Sequence, residues 1–264
     1  MSSLSVPFTL FDYFSYLIAG FVLLLSADYS LCGLSHVTAF EVKTGWIWLA
    51  VFLIIAYVLG HAIAGVASPL LQRGVVDRWP GRPCEHLLTS APESAPAKSR
   101  RAWREYHTPL AKPVQDAVRK AAQKAIGADE PPLDTGAIFN ISDACVRKDA
   151  DSYAFIERCA SLFSFCRNLS VALLASAILF AWGGYFHTVA QNQDKSGPLV
   201  AGWLLITVAF VGSVALFFRY LKFYRLHAAT VFYSFALADQ SDDESSKTPT
   251  EQRIAADVRL HMRP

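Results

Sequence analysis

Apolar positions along this chain gather in long charge-free blocks. Thr44 to Gln72 is 29 residues without a formal charge, Asn168 to Gln193 is 26 and Ser196 to Phe218 is 23. A hydrocarbon core about 30 Å thick is crossed by roughly 20 apolar helical residues, so each block predicts one span. A fourth block is shorter. Tyr13 to Ala27 offers 15 residues before Asp28 intervenes, or about 22 Å of helix rise. The first span therefore begins near Phe8, with Asp12 at the interface, or runs past Asp28 to about Leu34. The pattern predicts an all-α polytopic membrane protein with four transmembrane helices, at about 8–34, 45–68, 168–191 and 197–218.

Two seams extend beyond the last two spans. Ser152, Ile156, Cys159, Phe163, Cys166, Ser170 and Leu173 repeat by four and three, as do Phe217, Leu221, Tyr224, Ala228, Val231, Phe235 and Ala238. A four-three alternation keeps one helix face turned to a partner. The third and fourth helices are accordingly expected to continue into the cytoplasm as an antiparallel helical stalk, within residues 143–238. Residues 73–142 read as a small cytoplasmic insert. Pro80, Pro83, Pro92 and Pro96 mark loop there. Pro113 to Ile126 predicts an amphipathic helix with Val114, Ala117, Val118, Ala121, Ala125 and Ile126 on one face and Gly127 as its stop. Residues 239–264 read as an acidic, disordered tail.

Charge orients the spans. Of 24 Lys and Arg, 15 lie from Arg73 to Arg167 and seven from Arg219 onward, leaving only Lys43 and Lys195 on the other side. By the positive-inside rule both termini are expected in the cytoplasm, with the protein in the cell membrane. Trp46, Trp48, Trp182 and Trp203 fall towards the outer helix ends, as an aromatic belt requires. Composition agrees: 53% of residues are hydrophobic, 17% are charged, and the mean hydropathy is +0.29. These values exclude a disordered chain and a disulfide scaffold, and no nucleic-acid partner is expected. The first ten residues carry no Lys or Arg, so a cleaved signal peptide is not expected. Four of the five Cys (84, 145, 159 and 166) fall on the cytoplasmic side, and no disulfide framework is expected. The Asn140-Ile141-Ser142 sequon is on that side too, and is expected to be silent.

Candidate chemistry is sparse. Ala56, Gly60, Ala64 and Ser68 repeat every four residues and form a small-residue packing stripe, for contact within one subunit or between two. His61 beside it and Asp28 are candidate intramembrane polar sites, because ionisable groups at membrane depth are costly. Arg219, Lys222 and Arg225 repeat every three residues just inside the membrane, as cations for lipid headgroups or for a vestibule. Cys145, Cys159 and Cys166 are spaced by multiples of seven, which reads as one helical face. Seven residues rise about 10.5 Å, too far for two thiolates to share one zinc. No metal and no cofactor are expected. Arg101 to His107 matches a loose Arg-x(4–6)-His pattern that chance alone explains, and no Walker, G-x-S-x-G, His-Glu-x-x-His or GxGxxG motif occurs.

In architecture, four helices with a cytoplasmic insert and helical stalks resemble bacterial membrane proteins that include sensors and effectors of anti-phage systems. The expectation is a multi-pass inner-membrane protein, not an enzyme, assembling as a homo-oligomer in the lipid bilayer. It links a cytoplasmic helical region, or a cytoplasmic protein partner, to the membrane. A pore or channel subunit is the alternative, and a membrane enzyme using His61, His86 or His107 is a third reading.

Overall fold

The computed structural model describes residues 10–32, 46–89, 105–127, 133–148, 150–191 and 196–244. The first span beyond Leu10 and Cys32, the Pro-rich stretch 90–104, Lys43, Lys195 and the tail from 245 onward lie outside them. Described residues are helical, with no strand among them: α1 (Leu10–Cys32), α2 (Trp46–Ala67), a π-helical segment (Ser68–Val76), α3 (Pro83–Leu88), α4 (Lys112–Ile126), α5 (Thr135–Val146), α6 (Ala150–Gln191) and α7 (Ser196–Glu244). Four helices are long and apolar enough to cross a membrane, within Tyr13–Ser30, Trp46–Val76, Tyr153–Tyr185 and Gly202–Ala238. The chain is thus compatible with a multi-pass membrane protein.

Two compact units form, one from residues 1–81 with 159–224, the other from 82–158 with 225–264. In the first, Tyr13 meets Tyr57 and Phe21 meets Phe52, so α1 and α2 run antiparallel. Tyr29 meets Phe180, and a Cβ on Gly183 would sit only 2.8 Å from Ser30 Cα, which brings α6 close against α1. The core joins Ala19, Ile63, Ala67, Leu71, Val171 and Ala172, with Phe217 of α7 against it. Several hydroxyls in the apolar helices bond back to their own helix: Ser26 donates to the Val22 carbonyl, Ser176 to Ala172 and Thr207 to Trp203. Lipid offers no alternative acceptor, so this back-bonding is what such a helix requires.

The π-helical segment follows from Pro69. Proline has no N–H for the α-helical ladder, and the chain rewinds with five-residue spacing, as in Asp77 N–H to Gln72 carbonyl and Gly81 N–H to Val76 carbonyl, both 2.8 Å.

The second unit has a larger core than the expected small insert. Leu87 and Leu88 of α3, Val118 and Ala122 of α4, Ile138 of α5, Ile156 of α6, and Val231, Phe232 and Phe235 of α7 are all buried in it. Pro83 does not mark loop: it starts α3, where its missing N–H costs nothing. α4 begins and ends as expected, with Pro113 in its first turn and Gly127 (φ +120°) past its end. Its buried positions are Val114, Gln115, Val118, Ala121 and Ala122. Ala125 and Ile126, expected on that face, are exposed. The tail expectation also fails at its start, because α7 runs through the acidic residues to Glu244.

Candidate functional site

Close packing dominates the α1–α2 contact. A Cβ on Gly60 would overlap the Tyr16 backbone carbonyl, and one on Gly20 would overlap that of Ala56. The small residues of α2 thus serve a contact inside one chain. The strict four-residue stripe does not hold along its length. Four residues turn an α-helix by about 40° beyond one revolution, so the stripe drifts sideways. The buried positions are Ala56, Gly60, Ile63 and Ala67, while Ala64 and Ser68 are half-buried.

His61 lies on the exposed side of this contact, stacked on Tyr16 at 4.1 Å and edge-on to Tyr57 at 4.6 Å. It packs there against two rings. Asp28 is half-buried in α1. The three cations expected as one row separate by environment. Arg219 and Lys222 are exposed, whereas Arg225 donates from Nη2 to the Thr108 carbonyl at 2.8 Å. The cysteine face is also interrupted: Cys145 belongs to α5, and Cys159 and Cys166 belong to α6 beyond the turn at Arg147 and Lys148. An i,i+4 ion pair, Arg147 Nε to Asp143 Oδ2 at 2.8 Å, ends α5 there.

The polar group that the apolar runs converge on was visible in the sequence only as their boundaries. Arg167 of α6 is half-buried, and its Nε lies 3.4 Å from Asn168 Oδ1. Tyr220, Tyr16 and Tyr224 are the titratable groups within electrostatic reach of it. Tyr220 and Tyr224 stack at 5.7 Å, and Phe163 packs on both. Gln72, displaced onto this level by the π-helical segment, approaches Tyr224 OH at 3.4 Å. Asn168 Nδ2 and Tyr220 OH are buried and have no hydrogen-bond partner among the described residues. This cluster, in the first unit, is the candidate site.

The second unit brings His86 and His107 together, with ring centroids 4.4 Å apart and Tyr106 edge-on to both. Burial, followed by the neighbouring His86, holds the His107 imidazole below its ordinary pKa. Burial pushes the Cys84 thiol up, with Glu85 adding to the effect, which keeps it protonated and unreactive. Among the described residues no three His, Cys, Asp or Glu side chains gather to hold a metal ion. Ser142 of the sequon is buried and donates to the Ile138 carbonyl at 2.8 Å.

Compared with known protein families, characterised proteins and solved structures, the chain matches none.

Proposed function

We propose that this chain is a multi-pass membrane protein, not an enzyme, that couples a cytoplasmic helical region to the bilayer as sensor, anchor or effector for a cytoplasmic protein partner. One observation carries the reading. Helices α6 and α7 are uninterrupted over 42 and 49 residues, or about 63 and 74 Å of rise against a hydrocarbon core of about 30 Å. The excess length is not left bare: Ile156 of α6 and Ala228 to Ala236 of α7 supply the core of the second unit. The seam positions Cys159, Cys166, Ser170, Leu221, Ala228, Val231 and Phe235 are buried, which supports reading the extensions as a paired stalk. The excess of Lys and Arg on one side of the spans supports a cytoplasmic second unit, with both termini on the same side. A homo-oligomer belongs to this reading. Because Gly60 and Ala56 pack against α1, a second copy would meet the exposed apolar face of α2 at Ile54 and Val58.

Reconstitution of the full chain in vesicles tests the coupling. Backbone hydrogen exchange along Lys112–Ile126 should change when the bilayer is thinned, and the vesicles should hold an ion gradient. Exchange indifferent to the bilayer would remove the coupling, and a collapsed gradient would put a pore in its place.

A further inference from the structure

The Arg167 cluster contains more donors than acceptors. Among the described residues its guanidinium makes one hydrogen bond, from Nε to Asn168 Oδ1 at 3.4 Å, and no carboxylate pairs with it. That contact ties the inner edge of the side chain to its neighbour and leaves the two Nη groups without a hydrogen-bond partner among the described residues. Asn168 is 1% exposed and Tyr220 0% exposed, and both carry a buried polar atom without a partner, Nδ2 and OH. A buried donor left unmade costs about 1–3 kcal/mol, and a partly desolvated cation without a counter-charge costs more. Asp77 is near enough to act on Tyr220 but is not among the groups that act on Arg167. The cluster lies where charge-free sequence ends: Arg167 precedes the run from Asn168, Arg219 follows Phe218, and Gln72, in the π-helical segment, closes the run from Thr44.

We infer that Arg167, oriented by Asn168 and backed by Tyr220, binds a phosphate group, carried by an anionic lipid headgroup or supplied as free phosphate. A lipid phosphodiester is acceptor-only and free phosphate offers more acceptors than donors, and the oxygens of either match the planar fork of an arginine in bidentate fashion. It would supply at once the missing counter-charge and the missing acceptors. Arg219 is exposed and close enough to act on Cys166, adjacent to Arg167, so it adds positive potential without a desolvated contact. The inference rests on the membrane reading and names a ligand for it.

The test uses the full chain inserted in vesicles of mixed phosphatidylglycerol and phosphatidylcholine, then solubilised gently and weighed intact. The wild type should retain phosphatidylglycerol about tenfold over phosphatidylcholine, the equivalent of one charge-assisted contact. Arg167→Gln should abolish that preference, whereas Arg219→Gln, which removes only the added potential, should weaken it without abolishing it. Asn168→Asp is nearly isosteric and places a carboxylate beside the guanidinium, so it should remove the preference while helix content and elution volume stay at wild-type values. Protein from pure phosphatidylcholine vesicles, titrated with inorganic phosphate, provides the second arm. Arg167-dependent phosphate uptake there, without lipid preference, assigns the same site to soluble phosphate. Equal retention of both lipids with no phosphate uptake overturns the inference, and so does wild-type retention by both Arg167→Gln and Asn168→Asp. A chain that fails to float with vesicles at all overturns the membrane reading instead.

Discussion

Ser170 and Ser213 exchange hydrogen bonds across α6 and α7: the Ser170 hydroxyl donates to the Ser213 carbonyl at 2.9 Å, and the Ser213 hydroxyl to the Ser170 carbonyl at 2.8 Å. Each hydroxyl has one proton, so the 3.3 Å approach of the two oxygens is a by-product of the exchange. Both acceptors are backbone, and removing one hydroxyl leaves the other bond intact. Ser170→Ala and Ser213→Ala should each cost about 0.6 kcal/mol, the usual size of such a bond between membrane helices. Their effects should add to within about 0.5 kcal/mol. Unfolding of the wild type, the two single variants and the double variant in mixed micelles measures this. A coupling above about 1 kcal/mol would mean that the hydroxyls bond to each other.

Gly60 makes a different kind of contact, in which the missing side chain is the feature. Its facing atom is the Tyr16 carbonyl, which no rotamer change can move. Gly60→Leu should therefore force α1 away and lower the folded yield, at a cost at least at the upper end of the 1–3 kcal/mol typical of overpacking. The intact mass of the surviving protein should stay at the wild-type value. Ala64→Leu, at a half-buried position, should be far milder. A Gly60→Leu protein with full yield and a smaller assembly would transfer the contact to a second subunit.

The spans were legible because length and hydrophobicity alone decide whether a helix can cross a bilayer, and no packing detail enters. The second core was not. Leu87 and Leu88 belong to a helix of six residues, bracketed by Arg82 and Thr89, too short to show a period. Cys145 and Cys159 are two heptads apart, which mimics one continuous helix, but the turn at Arg147 and Lys148 is invisible to a spacing rule. The Arg167 cluster depends on the register between α6 and α7 and on the π-helical shift that carries Gln72 to Tyr224. His86 and His107 lie 21 residues apart, and nothing in either flank indicates that their rings meet.

Chain carbonyls at the end of α3 are closed by one backbone and one side-chain donor from elsewhere in the second unit. Leu87 accepts from Leu110 N–H at 3.0 Å, and Leu88 accepts from Arg119 Nη2 at 2.6 Å. The last carbonyls of a helix have no partner of their own. Arg119→Met keeps the aliphatic stem and removes the donor, so it should cost about 1 kcal/mol. For a chain of this size that is roughly 2–4 °C in melting temperature. An unchanged melt would mean that water caps Leu88 equally well.

Reporter fusions check the orientation. A cytoplasmic reporter after residue 90 or at the C-terminus should be active, and one near Gln191 should be silent. Activity at Gln191 would reverse the sidedness assigned to the second unit.

The His86–His107 pair should make the second unit sensitive to mild acid. Burial, and then His86, lower the pKa of His107 in the folded chain relative to about 6.5 in an unfolded one. Above that value both states are neutral and the pair contributes nothing. As pH falls through about 6.5, the unfolded chain takes up a proton that the folded one resists, so stability falls until the lowered folded pKa is reached. Glu105 and Arg225 lie near Tyr106 in the same unit and carry opposite charges, so neither sign dominates the neighbourhood. The melting temperature of the solubilised protein should be flat from about pH 8 to 7 and decline below about 6.5. His107→Gln, which cannot take the proton, should flatten part of that decline. Imidazole NMR isolates the cause: His107 should titrate below its ordinary value in the wild type and move back up in His86→Gln. A His107 that titrates at or above about 6.5 in the wild type would mean that the contact leaves the proton equilibrium untouched.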